Sequence, residues 1–323
     1  MKIVITGGAG FLGVLLARRL LSGAVVAGAG TPRNVSELVL VDLARPPQDL
    51  SSDPRVTAAT GHLGAALPAI RDADVVFHLA GVVSSAAESD FDLGMRTNLD
   101  AFRVLLEWAR AQVAPPILVF TSSLAVFGSD PFGSALGVVD EDTLPRPQSS
   151  YGIQKFVGEQ LLADYTRRGF VRGRSVRLMT VAVRPGRPNA AASSFLSGMI
   201  REPLAGERAF CPVPAETPIA LSSPRRTIEG ILRAAEVDDA TWGSRTAMNL
   251  PALTTTPADM AAALDRVAGA GTSSLIEWGH DPNVMAIVGS WAARFRTPRA
   301  AALGLDAEED FDAVIRQYQA DHG

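Results

Sequence analysis

The segment from Thr6 to Gly13 most strongly limits what this chain can fold into. It reads TGGAGFLG, follows a short apolar run (Lys2–Thr6) and precedes an amphipathic stretch (Phe11–Leu21). Glycines permit a tight turn, let backbone N–H groups approach a pyrophosphate, and let the next helix pack closely on the strand. The helix N-terminus offers unpaired donors to an anion. This context predicts a dinucleotide-binding loop rather than a structural turn. The predicted contacts are Gly7, Gly10, Phe11, Leu12 and Gly13.

Six short apolar runs, rich in β-branched residues, alternate with helical patterns over residues 1–180. Because these runs are continuous, we expect strands that are buried on both faces of a parallel sheet. The repetition of strand and helix predicts an α/β fold with a Rossmann-type, doubly wound parallel sheet. The predicted strands are 2–6, 37–42, 55–60, 75–79, 117–121 and 175–179, and the predicted helices are 11–21, 98–111 and 151–165.

The sequence pattern changes near residue 180, where prolines become frequent and the helical segments become isolated. Such segments span 227–235, 258–267 and 306–320, the last with Asp306 as its expected N-cap. We therefore predict a dinucleotide-binding domain over residues 1–180 and mainly a small substrate-binding lobe over 181–323, partly interleaved with the first.

Composition excludes several classes of function. The chain has 323 residues, of which 47% are hydrophobic and 20% charged, and a formal net charge of −4. It has no basic run that would indicate a nucleic acid or an anionic membrane as partner, and no apolar run of about 20 residues. The single cysteine, Cys211, excludes an internal disulfide and favours a reducing, cytoplasmic location. No cluster of His, Cys or acidic residues suggests a metal site.

Asp42 closes the second predicted strand. A carboxylate at this position can accept hydrogen bonds from both ribose hydroxyls and repels a 2′-phosphate, which favours NAD over NADP as cofactor. Arg45 lies nearby in the sequence and could tolerate a phosphate, so NADP stays open. The alternative role for Asp42 is that of a turn residue at the end of a strand.

Tyr151 and Lys155 form the pair that most directly indicates chemistry. Only two of the 30 basic residues are lysines, Lys2 and Lys155, and Lys155 follows Tyr151 by one helical turn. Both side chains then lie on one helix face. An ammonium group near a phenol stabilises tyrosinate and lowers its pKa, so Tyr151 can act as a base. The alternative is a pair exposed to solvent.

A third polar group is expected at the carboxyl end of the fifth predicted strand, where α/β sheets hold their ligands. Thr121, Ser122 and Ser123 stand there. A serine hydroxyl can hydrogen-bond the reacting oxygen without carrying charge, although a Ser-Ser pair after a strand is more often a turn.

Taken together, TGGAGFLG, Asp42, HLAG at 78–81, TSSLAVFG at 121–128 and YGIQK at 151–155 resemble the extended short-chain dehydrogenase/reductase family, in its NAD-dependent epimerase/dehydratase branch. The resemblance covers nearly the whole chain. It implies a catalytic triad of Ser123, Tyr151 and Lys155, and a homodimer formed through helices 98–111 and 151–165. It also implies a structural or proton-relay role for Asn98, whose alternative role is a helix N-cap.

The same resemblance extends the set of expected cofactor contacts along the strand ends. His62 stands where the family often has an aspartate, and an exposed loop residue is its alternative reading. Met179 and Thr180 end the sixth strand near the expected nicotinamide, with core packing as their alternative. The further contacts expected are Leu63, Leu79, Ala80, Gly81, Thr121, Tyr151 and Lys155.

The segment 184–204 indicates the substrate, because it contains Arg184, Arg187 and Arg201. Arginine matches carboxylates bidentately, so we expect a small acidic substrate. The segment is similar to dehydrogenases that oxidise the C2 hydroxyl of a four-carbon sugar acid. Dehydration is disfavoured, since Thr-Ser-Ser replaces the acidic pair of dehydratases. A nucleotide-sugar 4-epimerase and a non-catalytic dinucleotide sensor stay as alternatives. The predicted substrate contacts are Ser84, Ser123, Tyr151, Arg187, Asn189, Ser193 and Arg225.

Overall fold

The computed structural model describes residues 1–129, 136–186 and 191–322. The strands are β1 (Lys2–Thr6), β2 (Glu37–Asp42), β3 (Val56–Thr60), β4 (Val75–His78), β5 (Ile117–Ser123), β6 (Val138–Val139), β7 (Arg172–Leu178), β8 (Thr180–Val181), β9 (Ala209–Cys211), β10 (Ile219–Ser222), β11 (Met248–Asn249), β12 (Leu253–Thr255), β13 (Ile276–Trp278) and β14 (Arg294–Phe295). The helices are α1 (Phe11–Leu21), α2 (Gln48–Ser51), α3 (Leu63–Ala66), α4 (Ser84–Ser89), α5 (Phe91–Gly94), α6 (Ala101–Arg110), α7 (Ser150–Arg167), α8 (Ser194–Leu204), α9 (Pro224–Glu236), α10 (Asp239–Trp242), α11 (Pro257–Ala268), α12 (Pro282–Val288), α13 (Pro298–Ala302) and α14 (Phe311–His322).

The central sheet is parallel and doubly wound, as the sequence predicts. Among the described residues it has seven strands in the order β3-β2-β1-β4-β5-β7-β11. Strand β1 pairs with β2 on one side and with β4 on the other, so the direction of winding reverses between β1 and β4. In open α/β sheets, ligands bind outside the carboxyl ends of the strands at such a switch point.

The strand predictions are confirmed to within a few residues, but burial differs at the edge. Strands β1, β2, β4 and β5 are almost wholly buried, whereas none of the five residues of β3 is buried and three of them are exposed. The expectation that every strand is buried on both faces is therefore wrong for β3. The neighbouring helix, α2, is only four residues long and leaves this strand partly open to solvent.

Alternate residues of each central strand face different helical layers, because side chains in a strand alternate between its two faces. Ile3 and Ile5 of β1 pack in one core with residues of α1 and α9, while Val4 packs in a second core with residues of α6 and α7. Both α9 and β11 come from the chain after residue 180. Segments from both sides of the predicted domain boundary therefore share the core of the Rossmann sheet.

The remaining C-terminal segments form a small lobe with its own core over the carboxyl ends of the sheet strands. Its helices α8, α11 and α14 contribute Met199, Leu264 and Val314, and Cys211 lies fully buried among them. The expected helix 306–320 begins only at Phe311. Asp306 is therefore not its cap, and the carboxylate of Asp310 accepts the N–H of Ala313 (2.7 Å) instead.

Candidate active site

A cleft of about 270 Å³ opens at the carboxyl edge of the central sheet, under the small lobe. The glycine loop, the ends of β4, β5 and β7, and the first turns of α4 and α7 form most of its wall. Its described lining residues are Gly7, Gly10, Phe11, Leu12, Gly13, Leu79, Gly81, Val82, Val83, Ser84, Thr121, Ser122, Ser123, Leu124, Tyr151, Lys155, Leu178, Met179, Thr180, Val181, Arg184, Ala191, Ser193 and Trp291.

The glycine loop has the geometry of a phosphate cradle. Gly7 has a φ of +74°, which L side chains rarely adopt, and a Cβ on Gly13 would lie 2.1 Å from the Gly7 carbonyl oxygen. Helix α1 starts directly after Gly10, and no side chain in the part of the chain that the structure describes caps its N-terminus. Its first N–H groups are free to meet a pyrophosphate, so the residues present fit the adenine dinucleotide that the sequence predicts.

Asp42 lies beside the glycine loop at the end of β2. Its Oδ2 accepts the N–H of Ala9 (3.0 Å) and its Oδ1 accepts that of Ala44 (3.1 Å). The carboxylate therefore fixes the loop position, and Asp42 is not among the described lining residues of the cleft. Arg45 is exposed nearby.

Ser123, Tyr151 and Lys155 meet in the cleft. Ser123 ends β5, while Tyr151 and Lys155 share one face of α7. Ser149 starts this helix by accepting the N–H of Gly152 (3.2 Å). The Lys155 ammonium donates to the Thr121 carbonyl (2.8 Å) and lies 5.7 Å from the centre of the Tyr151 ring.

The pKa of Tyr151 departs from the sequence-based expectation. Burial is the largest influence and raises the pKa of the phenol, while Ser123 and Arg184 lower it. Burial also lowers the pKa of Lys155 to about 8, and the nearby Glu159 carboxylate opposes that shift. We expected the Lys155 ammonium to lower the pKa of Tyr151, but the cation that does so in this structure is Arg184.

A buried ion pair holds the catalytic helix against the sheet. Glu159 lies one turn beyond Lys155 on α7 and is 3% exposed. Both of its carboxylate oxygens accept from Arg177 of β7 (2.9 and 2.8 Å), and one also accepts from the Ser122 hydroxyl (2.5 Å). A fully hydrogen-bonded pair of this kind fixes geometry, because neither charge can reach water elsewhere.

Asn98 supports the cleft from behind. It lies in a π-helical turn (Met95–Asp100) that precedes α6, so the alternative reading of a helix N-cap is wrong. Its Oδ1 accepts the N–H of Val82 (2.9 Å), and its Nδ2 donates to the Val82 carbonyl (3.1 Å) and to Gln154 Oε1 (2.8 Å). Asn98 thus fixes the backbone of Val82, a lining residue, relative to the catalytic helix.

The other expected cofactor contacts divide into two groups. Leu79, Gly81, Thr121, Met179 and Thr180 line the cleft. His62, Leu63 and Ala80 are not among its lining residues: His62 is exposed before α3, Leu63 is buried, and Ala80 lies between Leu79 and Gly81. The nearby His78 is a structural residue, since its Nδ1 forms a hydrogen bond with Thr6 Oγ1 (2.6 Å). Burial lowers the pKa of the imidazole to about 3.

The expected substrate contacts also divide. Ser84 and Ser193 line the cleft, and the Ser84 hydroxyl accepts the N–H of Ala192 (3.2 Å) across to the small lobe. Arg225 is not brought to this cleft: its side chain is 61% exposed, lies 3.9 Å from Glu229, and lines a separate groove along α9. Arg187 and Asn189 lie outside the described residues.

Arg184 and Trp291 line the cleft but are not among the contacts predicted from the sequence. In the sequence, Arg184 is only one of three arginines in its segment. Trp291 pairs with Gly128 in an isolated β-bridge, and its buried indole N–H has no hydrogen-bond partner among the described residues. Position 291 is far from every motif, so no sequence pattern could have indicated it.

The described residues form neither a metal site nor a membrane-spanning helix. No group of three or more His, Cys, Asp or Glu side chains in the described ranges is placed to hold a metal ion. No helix within those ranges is long and apolar enough to cross a membrane.

Comparisons with known proteins agree with this geometry. A model of the "NAD dependent epimerase/dehydratase family" matches residues 3–221. The chain is 50% identical to a D-erythronate dehydrogenase of Cupriavidus necator, over 100% of this chain and 99% of the relative. It is 39% identical to a D-erythronate dehydrogenase of Haemophilus influenzae, over 98% of each chain.

Among solved structures, the chain resembles a nucleoside-diphosphate-sugar epimerase from Agrobacterium tumefaciens with a TM-score of 0.89 and 36% identity, covering 100% of this chain and 94% of the other. The family model and the two sequence relatives together show an oxidoreductase that uses NAD and acts on a CH–OH group. The chain belongs to the NAD-dependent epimerase/dehydratase family, in the extended short-chain dehydrogenase/reductase group.

Proposed function

We propose that this protein oxidises the C2 hydroxyl of D-erythronate to the 2-oxo acid with NAD. The proposal rests on one observation: the glycine loop, Ser123, Tyr151 and Lys155 line the same cleft. Two relatives that match over nearly their full lengths are named D-erythronate dehydrogenase, which supports this choice of substrate.

Tyr151 is the proposed general base. Its deprotonated oxygen takes the proton of the substrate hydroxyl, while the Ser123 hydroxyl donates a hydrogen bond to the same substrate oxygen. Lys155 holds a positive charge beside the ring and is fixed by the Thr121 carbonyl. Bound NAD would accept the hydride from the C2 carbon atom of the substrate. The glycine loop and the start of α1 would hold the pyrophosphate of NAD.

The pH dependence of oxidation follows from the Tyr151 pKa. Only the deprotonated phenol can accept the proton, and burial raises its pKa. The value of kcat/KM for oxidation should therefore rise as the pH is raised from neutral into the alkaline range. Initial rates of NADH formation across this range provide the measurement, and a rate that falls with increasing pH would contradict Tyr151 as the base.

The experiment that tests the substrate is a panel of aldonic acids supplied with NAD, with NADH absorbance as the readout. D-Erythronate should give the highest kcat/KM, and NMR of the product should show the carbonyl at C2. The proposal fails if no acid in the panel is oxidised.

A second candidate function is nucleotide-sugar 4-epimerisation, favoured by the similarity of the chain to the nucleoside-diphosphate-sugar epimerase from Agrobacterium tumefaciens. Such an enzyme gives no net NADH. Incubation with UDP-sugars, followed by chromatography of the sugars, distinguishes it: interconversion without net NADH supports the epimerase, and no interconversion supports the dehydrogenase.

We also propose a homodimer formed through α6 and α7. Both helices pack on the sheet through one face, yet Val104 of α6 and Ile153 of α7 are exposed apolar side chains. A second copy would cover them, and the molar mass from light scattering after size-exclusion chromatography should be twice the 34.0 kDa of one chain. A monomer mass at micromolar concentration would contradict it.

A further inference from the structure

The lining of the cleft is cationic. Lys155 and Arg184 are its charged members, and no Asp or Glu occurs among its described lining residues. Lys155 is already engaged by the Thr121 carbonyl and lies beside Tyr151. Arg184 is therefore the cation in this part of the lining whose role remains to be explained.

Arg184 is held in place by neighbours that, within the described ranges, leave part of its guanidinium without a hydrogen-bond partner. Its backbone N–H donates to Ser197 Oγ (3.0 Å), and its carbonyl accepts from Arg201 (2.9 Å). Its Nε donates to the Val181 carbonyl (3.1 Å). These contacts fix the start of the side chain and its first nitrogen, and they do not use the two terminal nitrogens.

A comparison with Arg177, seven residues earlier, shows what Arg184 lacks. Arg177 is 2% exposed and pairs with both carboxylate oxygens of Glu159. Arg184 is partly buried, which lowers the pKa of its guanidinium, but within the described parts of the chain no carboxylate pairs with it. A desolvated cation without a counter-ion is costly unless a bound anion completes it.

The geometry of the ligand follows from the geometry of guanidinium. Two terminal nitrogens in one plane match the two oxygens of a carboxylate. Arg184 and Tyr151 line the same cleft and are close enough for the charge of Arg184 to lower the pKa of the phenol. A carboxylate on Arg184 would therefore lie next to the proposed base.

We infer that Arg184 anchors the carboxylate of a 2-hydroxy acid and thereby determines which hydroxyl reaches Tyr151. This inference rests on the proposed function, which it deepens by assigning the residue that sets substrate class and regiochemistry. In a 2-hydroxy acid the hydroxyl-bearing carbon is bonded directly to the carboxyl carbon, so anchoring the carboxylate brings the C2 hydroxyl to the phenol. Hydroxyls farther along the substrate are left to Ser84 and Ser193, which also line the cleft.

The reaction that this placement supports is balanced. The C2 hydroxyl gives its proton to Tyr151, and the C2–H bond breaks with its electron pair passing to NAD, so that the alcohol becomes a 2-oxo acid and NAD is reduced. The carboxylate keeps its charge throughout, and Arg184 keeps its proton. Arg184 therefore binds and orients the substrate and takes no part in proton transfer.

The test measures binding separately from turnover. D-Erythronate and its uncharged amide are titrated calorimetrically into the protein saturated with NADH, a complex that cannot oxidise them. The wild-type protein should bind the acid about 10- to 100-fold more tightly than the amide, the range expected for a hydrogen-bonded charge pair. Arg184→Gln should abolish that preference, and Arg184→Lys should keep part of it, since one ammonium retains the charge but not the fork.

Controls separate a lost anchor from a lost fold. Arg208→Gln removes an arginine that is 76% exposed in an ion pair with Glu277, and it should keep the wild-type preference. Affinity for NADH and the melting temperature should be unchanged in Arg184→Gln; if that variant is unfolded, Arg184→Lys decides. The inference is overturned if the wild-type protein shows no preference for the acid over the amide. It is also overturned if the decisive variant keeps the full wild-type preference. Failure of the wild type to oxidise D-erythronate in the NADH assay would instead overturn the proposed function.

Discussion

The two halves of the cleft are built in different ways. The cofactor half, Gly7 to Gly13 with Leu79, is made mostly of backbone from consecutive residues. The substrate half, defined here as Ser84, Tyr151, Arg184, Ser193 and Trp291, is made of side chains from five separate segments. In the first half, close packing of backbone atoms excludes side chains; in the second, particular polar groups must be brought together from across the fold.

Substitutions in the two halves should therefore have different effects. Changes in the cofactor half should alter the affinity for NAD, because they change the shape of the cradle. Changes in the substrate half should alter turnover or the affinity for the acid while NAD binding persists.

Tyr151→Phe should reduce kcat on the order of 1,000-fold, because it removes the proposed base and leaves the ring in place. The affinity for NAD, measured by calorimetry, should change little. A variant that retains wild-type kcat would remove Tyr151 from the proposed mechanism, and a comparable loss of NAD affinity would break the separation of the two halves.

Lys155→Arg conserves charge, yet it should lower kcat about 100-fold, because a displaced catalytic group costs roughly this much. Lys155 is 5% exposed, and its ammonium lies above the Phe120 ring (4.9 Å) and close to Gly81, so a planar guanidinium cannot occupy the same volume. Steady-state kinetics provide the measurement. Normal activity would show that the charge alone suffices.

Gly13→Ala should weaken NAD binding about 10-fold and lower the free energy of unfolding by about 1–3 kcal/mol, the range for overpacking. The added Cβ would lie 2.1 Å from the Gly7 carbonyl oxygen, so the loop must shift. Gly23→Ala is the matched control, since its Cβ would meet nothing within 4 Å. Equal NAD affinities for both variants, measured by calorimetry, would contradict a cradle defined by backbone packing.

Asp42→Gly should raise the ratio of kcat/KM with NADP to that with NAD by about 10-fold, because it removes a charge that repels a 2′-phosphate. The ratio is the useful quantity, since Asp42 also accepts the N–H of Ala9 and its loss loosens the loop for both cofactors. A wild-type protein that already prefers NADP would show that this interpretation of Asp42 is wrong.

Much of the fold follows from local sequence. The bounds of α1, β1 and β2 agree with the predictions. These bounds depend on the spacing of apolar residues and on the glycines that separate the elements. The same holds for Tyr151 and Lys155, since any helix puts residues four apart on one face. Prediction was weaker where the end of an element depends on tertiary contacts, as at α14, and where a helix changes its winding, as at Asn98.

The substrate half of the cleft depends on tertiary packing, which local sequence patterns do not specify. The sequence indicated that an arginine binds an acid, but its arginines look alike until packing places Arg184 in the cleft and Arg225 along an outer groove. The sequence placed a cation near Tyr151, yet burial raises the pKa of the phenol, against opposing effects of Ser123 and of Arg184, which is remote in the sequence. Helix, strand and loop depend on neighbours in the chain, whereas burial and charge depend on neighbours in space, and these exist only once the two lobes have packed together.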